Sequence, residues 1–217
     1  MDPFDISSPD LYPYWGLGAF LSFTMACLPP ALTYRGRAGQ RYHTFNHFIS
    51  ELGETGVSRH AKVFNGFLVF TGVLMACFFV QFGRFFGSAA GWSVAALGLL
   101  MAVFCMMVGF VPMNRLRMHM TWACLTFMIG AGVFAATGAA IAMDETKRLP
   151  VFFAIGSFAV AALYAVFLIL PGIRENRQVF EPMTGERPKL WYIPMMEWGA
   201  ILGTMILVAT ICVYSLF

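Results

Sequence analysis

Residues 151–171 read VFFAIGSFAVAALYAVFLILP and contain no acidic, basic or histidine residue. A bilayer core about 30 Å thick is crossed by roughly 20 apolar residues in a helix, so this stretch predicts a transmembrane span. Five other stretches have a similar length and composition. The six predicted spans are Leu11–Leu32, Ala61–Phe82, Gly91–Val111, Met118–Met143, Val151–Pro171 and Trp191–Phe217.

The composition of the whole chain is typical of a membrane protein. Of its 217 residues, 59% are hydrophobic and 12% are charged, whereas about a quarter of the residues of a soluble domain are charged. The six spans use most of the chain and leave no room for a separate soluble domain. We therefore expect an all-α polytopic protein in which residues 1–217 form a single transmembrane domain, a six-helix bundle.

The basic residues are divided unequally between the two sides of this bundle. Three of them (Arg84, Lys147 and Arg148) lie on one side and eleven on the other. Because Lys and Arg are retained on the cytoplasmic side, the richer side is expected to be cytoplasmic, with both termini on the opposite side. The expected location is a bacterial inner membrane. The eleven residues are Arg35, Arg37, Arg41, Arg59, Lys62, Arg115, Arg117, Arg174, Arg177, Arg187 and Lys189.

The loop between the first two spans contains a helical pattern. In Tyr42–Gly53 (YHTFNHFISELG), Phe45, Phe48, Ile49 and Leu52 recur at the i, i+3, i+4, i+7 spacing. At about 100° per residue, the polar side chains fall on the opposite side. The pattern predicts a short amphipathic helix that lies in the interface or in the mouth of the bundle. Its polar residues are His43, His47, Ser50, Glu51 and Glu54.

The polar residues that could carry chemistry lie on the basic side of the bundle. Glu197 is about two turns into the last span, where an unpaired carboxylate costs about 2.5–3.5 kcal/mol, and such residues are candidate functional sites. The catalytic candidates are His47, Glu51, His119 and Glu197. The ligand-binding candidates are Ser50, Asn65, Asn114, Arg115, Glu186 and Arg187.

Three interpretations of these residues are open. His47, Glu51 and His119 could hold zinc for a hydrolytic reaction, although the chain has no HExxH motif. Alternatively, His47 or His119 could act as a base without a metal, with Ser50 as a nucleophile and an arginine holding a phosphate. Finally, the same side chains could form a hydrogen-bonded network that closes the bundle and binds lipid headgroups. No cofactor other than zinc is indicated.

Several short motifs resemble those of known membrane proteins. Phe48-Ile-Ser-Glu-Leu-Gly53, followed by Val63-Phe-Asn-Gly66, is similar to the signature of a prokaryotic six-span family of unknown function. That family is distantly related to the DRAM-like family, which includes autophagy modulators and a membrane protein that helps to remodel GPI lipids. Further elements that resemble the family are Gly109-Phe-Val-Pro112 with His119, Gly185-Glu186-Arg187 and Glu197-Trp198.

The resemblance implies lipid-related work at a membrane and defines no reaction. We expect a lipid-handling protein with a phospholipid-headgroup pocket at the cytoplasmic face, contacted by His47, Glu51, Arg115 and Arg187, with Asn65 and Glu197 as its floor. The alternatives are a lipid hydrolase or an acyl or headgroup transferase that uses the same residues, and a structural membrane adaptor. Membrane lipids are the expected partners, no nucleic-acid patch is present, and no protein partner is indicated.

Reporter fusions test the expected orientation. Alkaline phosphatase, which is active only outside the cytoplasm, should be active when fused after Phe217 and inactive when inserted in the loop 34–60. Green fluorescent protein, which fluoresces only inside, should give the reverse pattern at these two positions. Fluorescence from the fusion after Phe217 would contradict the charge argument.

Overall fold

The computed structural model describes residues 8–173 and 187–217, and all regular structure within these ranges is helical. Six of the helices are long and apolar enough to cross a membrane, which confirms the prediction of an all-α, six-span bundle. The largest difference from the predicted bounds is at the end of the second span, which continues to Phe86. The helices are α1 Tyr12–Thr33, α2 Ala61–Phe86, α3 Ala89–Phe110, α4 Leu116–Met143, α5 Val151–Ile173 and α6 Tyr192–Leu216.

The helices are arranged as a closed ring. Each helix packs against the next one in the chain, and α6 packs against both α5 and α1. Side chains from all six helices line one interior cavity. Hydroxyl groups also join neighbouring helices of the ring, which is how polar residues hold helices together in a membrane. These bonds run from Tyr12 Oη to Ser215 Oγ (2.6 Å), from Thr71 Oγ1 to Ser22 Oγ (2.9 Å), and between Tyr164 Oη and Thr204 Oγ1 (3.0 Å).

The turn between α2 and α3 is tight because glycines lie at the contact. Gly87 ends α2 in the left-handed conformation, with φ 62°, and Ser88 Oγ accepts a hydrogen bond from Gly91 N (3.1 Å) at the start of α3. Gly83 packs directly against the backbone of Gly91, and a Cβ atom there would also lie 2.7 Å from Ala95 N. The two helices can approach this closely only without a side chain at Gly83.

The prediction of an amphipathic helix over Tyr42–Gly53 is wrong for most of that segment. Only Ile49–Gly53 is helical, as a short 3-10 helix, and residues 44–46 form a turn that is followed by a bend at residue 47. Backbone groups that an α-helix would use internally are bonded to distant residues: Phe45 O accepts from Trp191 N (2.8 Å) and Asn46 O accepts from Arg187 Nη1 (3.0 Å). This 3-10 helix is not amphipathic, because the polar Glu51 is buried together with the apolar Ile49 and Leu52.

Alanine substitution at two glycines of α2 tests the hairpin contact. Gly83→Ala should destabilise the protein by about 1–3 kcal/mol, since the methyl group meets backbone atoms that cannot yield without moving α3. Gly66→Ala is the matched control, because nothing lies within 4 Å of a Cβ there and alanine favours a helix over glycine. Thermal unfolding in detergent measures both. Equal melting temperatures for the two variants would contradict the close approach.

Candidate functional site

The candidate residues gather at one end of the ring, where the loop 34–60 and the turn 111–115 lie beside the starts of α2, α4 and α6. We call this end the basic face, because most of the described basic side chains there are exposed. It carries many of the positive charges that predict orientation, and they surround the polar residues considered next. The exposed residues are Arg35, Arg37, Arg41, Arg59, Lys62, Arg115, Arg117 and Lys189.

Glu51 and Arg187 form a buried ion pair. Arg187 Nη1 donates to Glu51 Oε1 (2.9 Å) and Nη2 donates to Oε2 (2.8 Å), a two-pronged geometry that strengthens such a pair. The side chains are only 2% and 12% exposed, respectively. Glu51 also accepts from Phe48 N (2.9 Å) and from Tyr34 Oη (3.3 Å). The lone pairs of this carboxylate are thus occupied from inside the protein.

The ion pair belongs to a larger set of contacts that joins residues 42–51 to residues 187–198, which we call the clamp. Ile49 N donates to Glu197 Oε2 (2.7 Å), and Trp198 Nε1 donates to Tyr42 Oη (3.0 Å). The rings of Phe48 and Trp191 meet edge to face, with centroids 5.0 Å apart. The clamp holds the short 3-10 helix against the start of α6, which accounts for its burial.

Glu197 is buried, as its depth in the sequence predicts, and its partner is a backbone group. Oε2 accepts from Ile49 N, and no described residue bonds to Oε1. The residue is 8% exposed and lines the interior cavity. An intramembrane carboxyl group with one oxygen that no described residue bonds is positioned to form a hydrogen bond with a ligand.

His119 is oriented by the turn that precedes α4. Its Nδ1 lies 2.7 Å from Val111 O. Because a carbonyl oxygen can only accept, Nδ1 carries the proton, and in the neutral ring Nε2 is an acceptor. No residue in 8–173 or 187–217 bonds to Nε2. The ring is 3% exposed and, like Glu197, it lines the cavity.

The cavity is long and narrow. Its volume is about 90 Å³, which is well above the ~10–15 Å³ that one water molecule needs. Along α2 its lining runs from Phe64 to Phe79, which corresponds to about 22 Å at 1.5 Å per residue. The lining is dominated by apolar side chains such as Leu68, Met101 and Phe127. A slender apolar group therefore matches its shape better than a bulky one.

The polar groups of the cavity differ between its two parts. We call the part that contains Thr126, Tyr164 and Thr204 the shaft, and the end that contains Ser50, His119 and Glu197 the mouth. In the shaft, the hydroxyl groups are satisfied by the protein: Thr126 donates to Trp122 O (2.8 Å), and Tyr164 and Thr204 bond to each other (3.0 Å). At the mouth, on the basic face, the lining includes Ser50 together with the unsatisfied atoms of His119 and Glu197. Ser50 Oγ donates only to Met113 Sδ (3.6 Å), a weak acceptor.

His47 lies in the clamp and does not line the cavity. Its Nδ1 is 2.6 Å from Asn46 Oδ1, and Nε2 is buried with no partner among the described residues. Burial lowers the pKa of His47 below its usual range, and the nearby Glu51 carboxylate opposes this shift. The four catalytic candidates thus fall into two pairs: His47 and Glu51 in the clamp, His119 and Glu197 in the cavity.

The structure does not assemble the proposed zinc ligands. The described residues contain no group of three or more His, Cys, Asp or Glu side chains that could hold a metal ion. Glu51 uses both carboxylate oxygens on Arg187, and His119 lies with the cavity instead of the clamp. The i, i+4 spacing of His47 and Glu51 is uninformative about ligation because that segment is not an α-helix.

Three of the six ligand-binding candidates, Asn65, Asn114 and Arg187, bond to the loop 34–60. Asn65 Nδ2 donates to Gly53 O (3.1 Å), and a Cβ atom at Gly53 would collide with the Asn65 side chain. Asn114 Nδ2 donates to Thr55 O (2.9 Å), and its Oδ1 accepts from Thr55 N (2.8 Å). Arg115 is exposed and bonds to no described side chain. Glu186 lies outside the described residues.

Sequence reasoning missed Tyr34 and Tyr42. Tyr34 donates to Glu51, and Tyr42 Oη donates to Phe48 O (3.0 Å) while it accepts from Trp198. Burial raises the pKa of Tyr42 well above its usual value, and the nearby Glu197 carboxylate adds to this effect. Aromatic residues next to a span are typical of the membrane interface, so nothing in the sequence distinguishes these two.

Comparison with known proteins adds no assignment. No protein-family model matches the chain, and no curated protein or solved structure matches it significantly. The fold defines an integral membrane protein of six spans, with a cavity inside the ring. The resemblance of its motifs to the six-span and DRAM-like families stays a prediction.

Two glutamate substitutions at the basic face test the clamp. Glu51→Gln removes the carboxylate that accepts from both Nη1 and Nη2 of Arg187, and we expect a loss of about 3–5 kcal/mol in the free energy of unfolding because a buried ion pair is broken. Glu54→Gln is the matched control. Glu54 pairs with Arg37, whose side chain is 63% exposed and whose pKa is raised by this hydrogen bond, so its loss should cost only about 0–1 kcal/mol.

Unfolding of both variants is measured in the same detergent by intrinsic tryptophan fluorescence. The expected order of stability is wild type, then Glu54→Gln close to it, then Glu51→Gln well below. Equal losses in the two variants would show that the Glu51–Arg187 pair does not hold the loop in place.

Proposed function

We propose that the protein binds a membrane lipid, or a similar single-chain amphiphile, inside its ring of helices. The observation that carries this proposal is the one-sided polarity of the cavity. Hydroxyl groups along the shaft bond to other groups of the protein, whereas His119 Nε2 and Glu197 Oε1 at the mouth have no partner among the described residues. A molecule with a polar head and an apolar chain has the same one-sided distribution of polarity.

The shape of the cavity supports a single chain as the occupant. Its lining extends over most of the ~30 Å thickness of a bilayer core, yet its volume is about 90 Å³. Moving a chain from lipid into this cavity gains little by the hydrophobic effect, since lipid tails are as apolar as the lining. The apolar chain of the ligand therefore contributes shape complementarity to the cavity, and selectivity among ligands must come from the contacts of the polar head.

The contacts proposed for the head differ from those expected from the sequence. Arg187 and Glu51 bond to each other, so they are engaged in holding the loop. The head would instead meet Ser50, His119 and Glu197. Exposed residues of the basic face, Arg115 among them, would attract anionic lipids to the protein surface. We place this face on the cytoplasmic side of a bacterial inner membrane on the basis of its positive charge.

A second candidate function is hydrolysis or transfer of an acyl group. It is favoured by the orientation of His119, whose Nδ1 is held by Val111 O so that Nε2 could accept a proton. Ser50, a possible nucleophile, lines the same cavity. This candidate uses the proposed lipid site and adds a reaction to it.

Photocrosslinking tests the binding proposal. Two hexadecyl probes with a mid-chain diazirine, one with a glycerol head and one with a phosphate head, are incubated with the purified protein in nanodiscs. At least one probe should label residues of the cavity lining. Ala123→Leu, which fills the lining, should reduce this labelling at least tenfold. Ala135→Leu, at an exposed position of the same helix α4, should leave it unchanged.

Mass spectrometry locates the label and detects any chemical change in an ester-linked version of the probe. Labelling confined to exposed residues of the spans, or insensitive to Ala123→Leu, would exclude the cavity as a lipid site. Turnover of the ester that is lost in Ser50→Ala would favour the enzyme over a binding protein. Thermal unfolding shows whether the variants are folded.

A further inference from the structure

The mouth of the cavity is unusual in the kind of polar atoms that it offers. His119 Nε2 is a hydrogen-bond acceptor, because Val111 O fixes the proton on Nδ1. Glu197 Oε1 belongs to a buried carboxyl group whose other oxygen, Oε2, already accepts from Ile49 N. Both residues are more than nine-tenths buried, and neither of these two atoms has a partner among the described residues.

No described cation lines the cavity. Its lining contains no Lys or Arg side chain. Arg187, which lies against the short 3-10 helix in the clamp, bonds to both oxygens of Glu51. A phosphate or carboxylate head would bring negative charge and further acceptors to the imidazole lone pair of His119, in a lining where no described side chain supplies a counter-charge. Such a head would lose its hydration without gaining donors, which is costly in a buried site.

We infer that the cavity selects an uncharged, hydroxyl-bearing head, such as the vicinal diol of a single-chain glycerol lipid, over an anionic head; this inference rests on the proposed lipid binding. One hydroxyl group donates to His119 Nε2 and a second donates to Glu197 Oε1. Ser50 Oγ can either donate to the head or accept from it, because its present acceptor is only Met113 Sδ. The site therefore selects ligands whose head donates hydrogen bonds.

Competition among three lipids with the same chain tests this selectivity. They are 1-O-hexadecylglycerol, which donates hydrogen bonds, hexadecyl methyl ether, which is uncharged but only accepts, and hexadecyl phosphate, which is anionic. Each competes with whichever photoreactive probe labels the wild-type protein in nanodiscs. The glycerol lipid should compete at least tenfold better than either of the others.

Glu197→Gln provides an independent readout on the protein side. The amide oxygen can still accept from Ile49 N, whereas the amide nitrogen puts donors where Oε1 was an acceptor. The tenfold advantage of the glycerol lipid over the methyl ether should fall to about threefold or less. Glu54→Gln is the matched control, because Glu54 lies on the same face outside the cavity lining, and it should keep the full advantage.

The possible outcomes separate this inference from the proposal beneath it. Competition by hexadecyl phosphate equal to or better than that by the glycerol lipid overturns the selectivity and leaves lipid binding intact. So does equal competition by the methyl ether. Failure of both photoprobes to label the cavity overturns lipid binding itself. The wild-type comparison alone decides the inference if Glu197→Gln does not fold.

Discussion

The buried ion pair between Glu51 and Arg187 is the interaction on which the site depends. An ion pair at this depth adds little stability over apolar packing, but the loss of one partner is costly. The pair therefore acts as a constraint on position, and residues 42–51 must stay against the start of α6. Once the loop is fixed there, Ile49 N meets Glu197 and Ser50 meets the cavity mouth. The pair itself contacts no part of the cavity, so its role is to place the residues that do.

The division of polar residues into two groups follows from this constraint. Glu51 pairs with Arg187 in the clamp and accepts from Tyr34, and His47 Nδ1 bonds to Asn46, so these residues bond to other side chains of the protein. His119 and Glu197 each spend one atom on a backbone group and keep another atom open to the cavity. A backbone partner fixes the orientation of a side chain without neutralising it. Residues held in this way are suited to binding a ligand, whereas residues that pair with each other are suited to holding the loop in place.

The spans could be predicted from the sequence because a bilayer imposes length and composition on each helix separately. Glu197 could also be identified, since its position within an apolar stretch is visible locally. The shape of the loop could not, because Phe45, Asn46 and Ile49 bond to Trp191, Arg187 and Glu197, more than 130 residues away. Periodicity reports only on neighbours in sequence. The pairing of Arg187 with Glu51 could not be predicted for the same reason: a motif does not reveal that an arginine faces a glutamate of the same chain.

The closure of the ring by α6 has a consequence for biogenesis. Because chains are made from the N-terminus, five spans emerge from the ribosome before the helix that packs against both α1 and α5. The same late segment supplies Arg187 and Glu197, so until it is inserted Glu51 has no counter-charge from it. Without α6, the protein lacks part of its cavity lining and the contacts that hold residues 42–51 in place. A nascent chain stalled after α5 would therefore expose Glu51 and the faces of α1 and α5 that α6 covers in the finished protein. Quality-control proteases can recognise both features.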